Sequence, residues 1–150
     1  MKTDLSTNYL GLALAHPLMP GACPLSDDLD TVRRLEDAGA SALVMHSLFE
    51  EQIRQEEREA LVLESQGEAL ADAVSYLPNR AIFALAPDEY LEQIQRIRRA
   101  VSIPVIASLN GTTPQSWIEY ARLIEHAGAH ALELNIYYVP TDPREDGEEV

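Results

Sequence analysis

The chain has 150 residues, 46% of them hydrophobic, and carries 25 Asp and Glu against 11 Lys and Arg, a formal net charge of −14. That length suits one compact domain, and such acidity excludes a nucleic-acid or anionic-membrane surface, because both reward basic stripes. The lone cysteine, Cys23, allows no internal disulfide, no Cys/His spacing suits a metal site, no apolar run nears the ~18 residues of a membrane span, and the N-terminus lacks the apolar stretch of a secretion signal. The expected compartment is the cytoplasm.

In chain order, Leu5 to Pro17 predicts a short β-hairpin, from the alternation around Tyr9, Leu10 and Leu12 and from Gly11 near the turn. Leu18 to Cys23 reads as an apolar strand ending in small residues. A helix is expected next, with Ser26 as N-cap, Asp27 and Asp28 in its first turn, Leu29, Val32 and Leu35 as its buried stripe, and a stop at Gly39. Ser41 to His46 is apolar enough for a strand buried on both faces, as parallel sheets require. Residues 49–80 are rich in Glu and Gln and read as a solvated helical excursion. A second helix begins at Pro87, with Tyr90, Leu91, Ile94 and Ile97 facing the core and Arg96, Arg98 and Arg99 near its C-terminal end. Ile103 to Asn110 is the next strand. Thr113 and Pro114 open a third helix, with Trp117, Ile118, Ala121 and Ile124 as its stripe and Gly128 at its end. Ala131 to Ile136 is the fourth strand.

Two segments repeat. Leu35 to Leu43 and Ile124 to Leu132 both run helix end, Ala-Gly-Ala, strand start. Repeated βα units imply an α/β protein with a parallel sheet. A doubly wound open sheet ranks second, because no Gly-x-Gly-x-x-Gly follows the first strand. Four strand–helix slots fit the N-terminal half of a (β/α)8 TIM barrel with an N-terminal β-hairpin, a fold of typically ~250 residues. On this reading residues 1–150 are the truncated half of a single domain. Its open sheet edges make a homodimer one expected assembly.

Several segments resemble class 1 dihydroorotate dehydrogenases: Leu5 to Leu12, His16 to Ala22, Ala38-Gly39-Ala40, His46-Ser47, Ser108-Leu109-Asn110-Gly111 and Glu133-Leu134-Asn135. The resemblance implies a hairpin plugging the floor of a barrel, FMN over the strand ends, and oxidation of dihydroorotate to orotate in pyrimidine synthesis. It departs from the family at three places. His46 stands where the family has a flavin-contacting lysine. Tyr137 and Tyr138 stand where it has a cysteine or serine base. Ser75 to Asn79 only faintly resembles its substrate loop.

In a barrel, ligands meet the C-terminal ends of the strands. The expected FMN-binding residues are therefore Ala22, Cys23, His46, Ser47, Asn110 and Asn135. Each has a plainer reading beside it. Cys23 is more simply a small buried apolar residue, with Ala22 and Cys23 contributing close backbone approach. His46 reads equally as a satisfied core polar group, and Ser47 as a helix cap. Asn110 and Asn135 carry the stronger expectation, since an amide ending a buried strand needs partners. Tyr137 and Tyr138 read as packing aromatics. The expected function is an FMN-dependent oxidoreductase acting on a small molecule, with its usual base absent. The alternatives are a flavin-free barrel lyase or isomerase, or a catalytically silent binding paralogue.

Overall fold

A computed structural model of the chain describes residues 3–53, 86–111, 114–136 and 147. The hairpin forms as expected. β1 (Thr7–Tyr9) and β2 (Leu12–Leu14) pair antiparallel, with Tyr9 opposite Leu12. The two turn residues, Leu10 and Gly11, both have positive φ, 54° and 79°. Two-residue turns of that kind match the twist of the strands they join.

The segment from Leu18 to Cys23 corrects the sequence reading, because it forms no regular strand. It still runs alongside the next strand. The Leu18 carbonyl accepts from Ser41 N–H at 3.1 Å and the Pro20 carbonyl from Val44 N–H at 3.3 Å. Pro20 has no N–H to return, and the Leu18 N–H bonds His16 Nδ1 instead at 3.3 Å, so a two-way ladder cannot develop. A 3-10 turn, Pro24–Ser26, follows. Helix α1 is Leu29–Asp37, and its N-cap is Asp28 rather than Ser26. The Asp28 carboxylate accepts from both the N–H and the hydroxyl of Thr31, each at 2.7 Å, and these bonds hold it below the usual carboxylate range.

The central sheet is parallel, in the order β3 (Leu43–Phe49), β4 (Val105–Gly111), β5 (Ala131–Ile136). Helix α2 (Pro87–Ala100) precedes β4, and helix α3 (Pro114–Ala127) lies between β4 and β5. Pro87 is the first residue of α2, and Glu89 accepts from the Ala86 N–H at 3.2 Å. Both copies of the Ala-Gly-Ala repeat act alike. Gly39 and Gly128 leave their helices with φ of 93° and 97°, the left-handed geometry that ends a helix and that a Cβ would strain.

The two faces of the sheet differ. Leu43, Met45, Leu48, Val105, Ala107 and Leu109 pack against Val32 of α1, Tyr90, Ile94 and Ile97 of α2, and Ile124 of α3, forming the main core. On the other face Ala42, Val44 and Ile106 meet Leu14, Leu12 and Met19. The hairpin thus covers that face at the N-terminal end of the strands, leaving its C-terminal end for other residues.

The register of β3 shifts once. Val44 is opposite Ile106 and Ser47 is opposite Ser108, so Met45 and His46 together span Ala107. This is a β-bulge, two residues against one. Beside it the Tyr90 hydroxyl reaches up from α2, accepting the Ser108 N–H at 2.9 Å and donating to the Ser108 carbonyl at 3.1 Å. Burial, with smaller effects from the negative Asp27 and Glu133, pushes this phenol far above its usual range.

A second polar clasp closes the start of β5. His130 Nδ1 accepts the Val105 N–H at 2.8 Å, and its own main-chain N–H bonds the Val105 carbonyl at 2.8 Å. Arg98 donates to the Gly128 carbonyl at 2.7 Å. A ring nitrogen that accepts carries no proton. Partial burial, then the Arg98 charge, lowers the His130 pKa from 6.5 against a smaller opposing effect of the Val105 main chain. The neutral form is therefore the native one. Its contribution to stability is complete above the ordinary histidine range and is lost as pH falls through the lowered folded value. The His130 ring followed by NMR should titrate below 6.5, with the Val105 amide losing protection in step. A midpoint at or above the free-histidine value would refute this.

Candidate functional site

The strand register arranges the C-terminal half of the open face in layers. Ser108 of β4 lies between Ser47 of β3 and Glu133 of β5, and one step further along lie Phe49, Asn110 and Asn135. The first layer is polar and hydrogen-bonded. The Ser47 and Ser108 hydroxyls are 2.8 Å apart, and Ser108 Oγ donates to Glu133 Oε1 at 2.9 Å. The second layer stands on the first. Asn135 Nδ2 donates to Ser108 Oγ and to Glu133 Oε1, each at 3.3 Å. Asn110 Oδ1 is buried and has no hydrogen-bond partner among the described residues. Buried amide oxygens almost always have one, so this atom marks where a donor is wanted.

A separate corner lies along β3 at the bulge. The His46 N–H donates to Ser26 Oγ at 2.6 Å, and Ser26 Oγ donates to the Cys23 carbonyl at 3.1 Å. His46 Nδ1 and Asp27 Oδ2 are 3.1 Å apart. From α2 the buried Gln93 amide donates to the main-chain carbonyls of Ser26 and Asp27, at 3.2 and 3.0 Å. The 3-10 turn is thus clamped from both sides. Ser26, expected to cap α1, is buried and joins Cys23 to His46 instead.

The expected site residues therefore divide. Asn110 and Asn135 are direct register partners, and Ser47 belongs to the row beneath them. The plainer reading of Ser47 as a helix cap fails, because its hydroxyl is engaged across the sheet and helical residues begin at Glu50. His46 is held by Asp27, and Cys23 is a partly buried free thiol beside the same turn. Ala22 is exposed. β3 runs on to Phe49, so His46 and Ser47 lie within the strand at its bulge rather than at its last residues.

Sequence reasoning passed over Ser108 and Glu133 as site residues. Their signal was present, since each sits two residues before an asparagine in a strand and so shares that asparagine's face. Asp27 and Ser26 had no comparable signal, being 19 and 20 residues from His46. Tyr137, Tyr138, Ser75 to Asn79 and nearly all of the 49–80 excursion lie outside the described residues, where 50–53 alone of that excursion's helical part is seen. Among the described residues no group of three His, Cys, Asp or Glu could hold a metal ion, and no helix is long and apolar enough to cross a membrane.

No protein-family model matches the chain. Over 136 residues it is 33% identical to the catalytic subunit of dihydroorotate dehydrogenase B (NAD(+)) from Thermoplasma acidophilum, a match covering 89% of this chain and 41% of that protein. Over 101 residues it is 33% identical to a protein of Aeropyrum pernix described as a putative dihydroorotate dehydrogenase A (fumarate), covering 54% of this chain and 33% of that one. The chain spans less than half the length of these relatives.

Proposed function

The chain is dihydroorotate dehydrogenase-like in sequence, matching the N-terminal part of such proteins, and from that premise we propose that the complete protein is an FMN-dependent oxidoreductase of a small cyclic substrate. In this reading the parallel sheet continues into a closed (β/α)8 barrel with its site at the C-terminal strand ends. The observation that carries the proposal is the Asn110–Asn135 pair, side by side at those ends, with Asn110 Oδ1 buried and lacking a donor among the described residues.

The residues present fit a flavin. A fused planar ring with an imide N–H between two carbonyls along one edge supplies the donor that an orphaned amide oxygen wants. Asn110, Asn135 and Ser47 would hold the ring and its substrate from the strand ends. Ala22, Cys23 and His46 would hold it from the corner at the β3 bulge. When bound, FMN supplies hydride acceptance from a carbon of the substrate. The chain's own contribution is orientation. Asn110 and Asn135 offer fixed polar groups, and Asp27 fixes the His46 ring through Nδ1.

One observation favours a second reading, a silent binding paralogue. The family's base position is occupied by Tyr137 and Tyr138, and an ordinary phenol, with a pKa near ~10, is a poor base at neutral pH.

The complete protein should purify with the visible absorption band of oxidised flavin and release FMN on denaturation. Asn110→Ala and Asn135→Ala should each weaken flavin or substrate binding, because removing one partner of a buried hydrogen bond costs about 1–3 kcal/mol. A colourless protein that takes up no added FMN would overturn the flavin assignment. Unchanged flavin content and substrate affinity in both variants would return the two asparagines to structure.

A further inference from the structure

The row beneath the two asparagines has a direction. Ser108 has one hydroxyl proton, and it goes to Glu133 Oε1. Ser108 Oγ then has only lone pairs left, so Ser47 must be the donor in the 2.8 Å bond between the two hydroxyls. The second lone pair of Ser108 Oγ takes Asn135 Nδ2, which also donates to Glu133 Oε1. Every proton in the row therefore runs toward the Glu133 carboxylate. Both partners of the Asn135 amide nitrogen lie one layer back into the sheet, which leaves Asn135 Oδ1 turned the other way, out of the strand end. Next to it stands Asn110, whose own oxygen has no partner among the described residues.

We propose that Glu133 is a positioning residue which, with Ser108, locks the Asn135 carboxamide with its carbonyl outward, so that Asn110 and Asn135 form a paired acceptor selecting a ring ligand through its amide N–H groups. This rests on the reading of the strand ends as the flavin and substrate site. It adds what that site reads, an N–H edge rather than a carbonyl or carboxylate edge. Two lone-pair donors side by side repel a carbonyl and reward an imide or ureide N–H. The flavin's own pyrimidine ring and a cyclic ureide substrate both carry such groups.

Equilibrium binding to the complete protein separates these sources. FMN is compared with FMN methylated at its imide nitrogen. In the flavin-loaded protein, dihydroorotate is compared with its derivatives methylated at each ring nitrogen. Wild type should prefer the unmethylated member of at least one pair by about tenfold or more, since a buried acceptor left unpaired carries a cost of that order, and the pair that discriminates identifies the source. Glu133→Met and Ser108→Ala should shrink that preference to about threefold or less, and Glu133→Gln, which keeps an acceptor at Oε1, should restore it. Hydrogen exchange of the Asn135 side-chain amide by NMR needs no ligand. It should be slow in wild type and Glu133→Gln and faster by about tenfold or more in Glu133→Met. Binding of both parents without discrimination in wild type, or discrimination that survives in both Glu133→Met and Ser108→Ala, would overturn the proposal. If neither parent binds, the flavin reading falls while slow amide exchange that Glu133→Met abolishes still upholds the positioning role, and exchange unaltered by that variant overturns it.

Discussion

Tyr90→Phe should destabilise the complete protein by about 2–4 kcal/mol while leaving its shape nearly unchanged. The ring stays in the core among Ile94, Ile97 and Leu109, so no apolar contact is lost. What disappears is one hydroxyl that serves both the N–H and the carbonyl of Ser108. Each buried main-chain group left without a partner costs about 1–3 kcal/mol, and both lie in the middle strand of the sheet. The midpoint of urea unfolding should fall with little change in its slope. The exposed Tyr9 provides the control, and Tyr9→Phe should stay within about 0.5 kcal/mol of wild type. A loss for Tyr90→Phe no larger than the control's would show that the Ser108 groups have other partners.

Anaerobic mixing of the flavin-loaded protein with dihydroorotate should leave the flavin band largely unbleached on the seconds scale. The substrate must lose a proton from one carbon as hydride leaves its neighbour, and a positioned base is worth typically 10²–10⁴ in rate. In the resembling family that base is a cysteine or serine just after the strand that here ends at Ile136. This chain continues with Tyr137, Tyr138 and Val139. Immediate bleaching that Tyr138→Phe abolishes would make Tyr138 the base. Immediate bleaching that neither Tyr137→Phe nor Tyr138→Phe alters would place the base elsewhere.

The parts of the fold legible in the sequence are those set by local pattern. Pro87 and the stripe Tyr90, Ile94, Ile97 define α2, and Ala131 to Ile136 matches β5 residue for residue. The hairpin followed from alternation around its turn. The errors lie where non-local bonds decide. Leu18 to Cys23 has strand-like composition, yet Pro20 cannot return a ladder bond and Leu18 bonds His16 instead. Ser26 looks like a helix cap until His46, twenty residues on, claims its hydroxyl. The strand ending at His46 by apolar count runs to Phe49 because its alternation changes phase midway. Asn110 and Asn135 are legible in the sequence as amides near the ends of apolar strands. Ser108 and Glu133 are not, because a serine and a glutamate inside strands look ordinary until the register aligns them.

The bulge in β3 has an evolutionary corollary. Before it, Val44 shares a face with Ile106. After it, Ser47 shares that same face with Ser108, although the two β3 positions are three apart. The doublet Met45-His46 occupies the place of a single residue in the neighbouring strand, so it holds one position more than the ladder needs. Lineages can exchange the side chain at position 46 and keep every later residue on its proper face. Losing one of the two would set a single residue against Ala107 and leave Ser47 opposite Ser108 and Phe49 opposite Asn110 as before. A descendant can therefore shed one residue of the doublet without turning the strand over, and where the doublet persists it preserves the corner that joins His46 to Ser26 and Asp27.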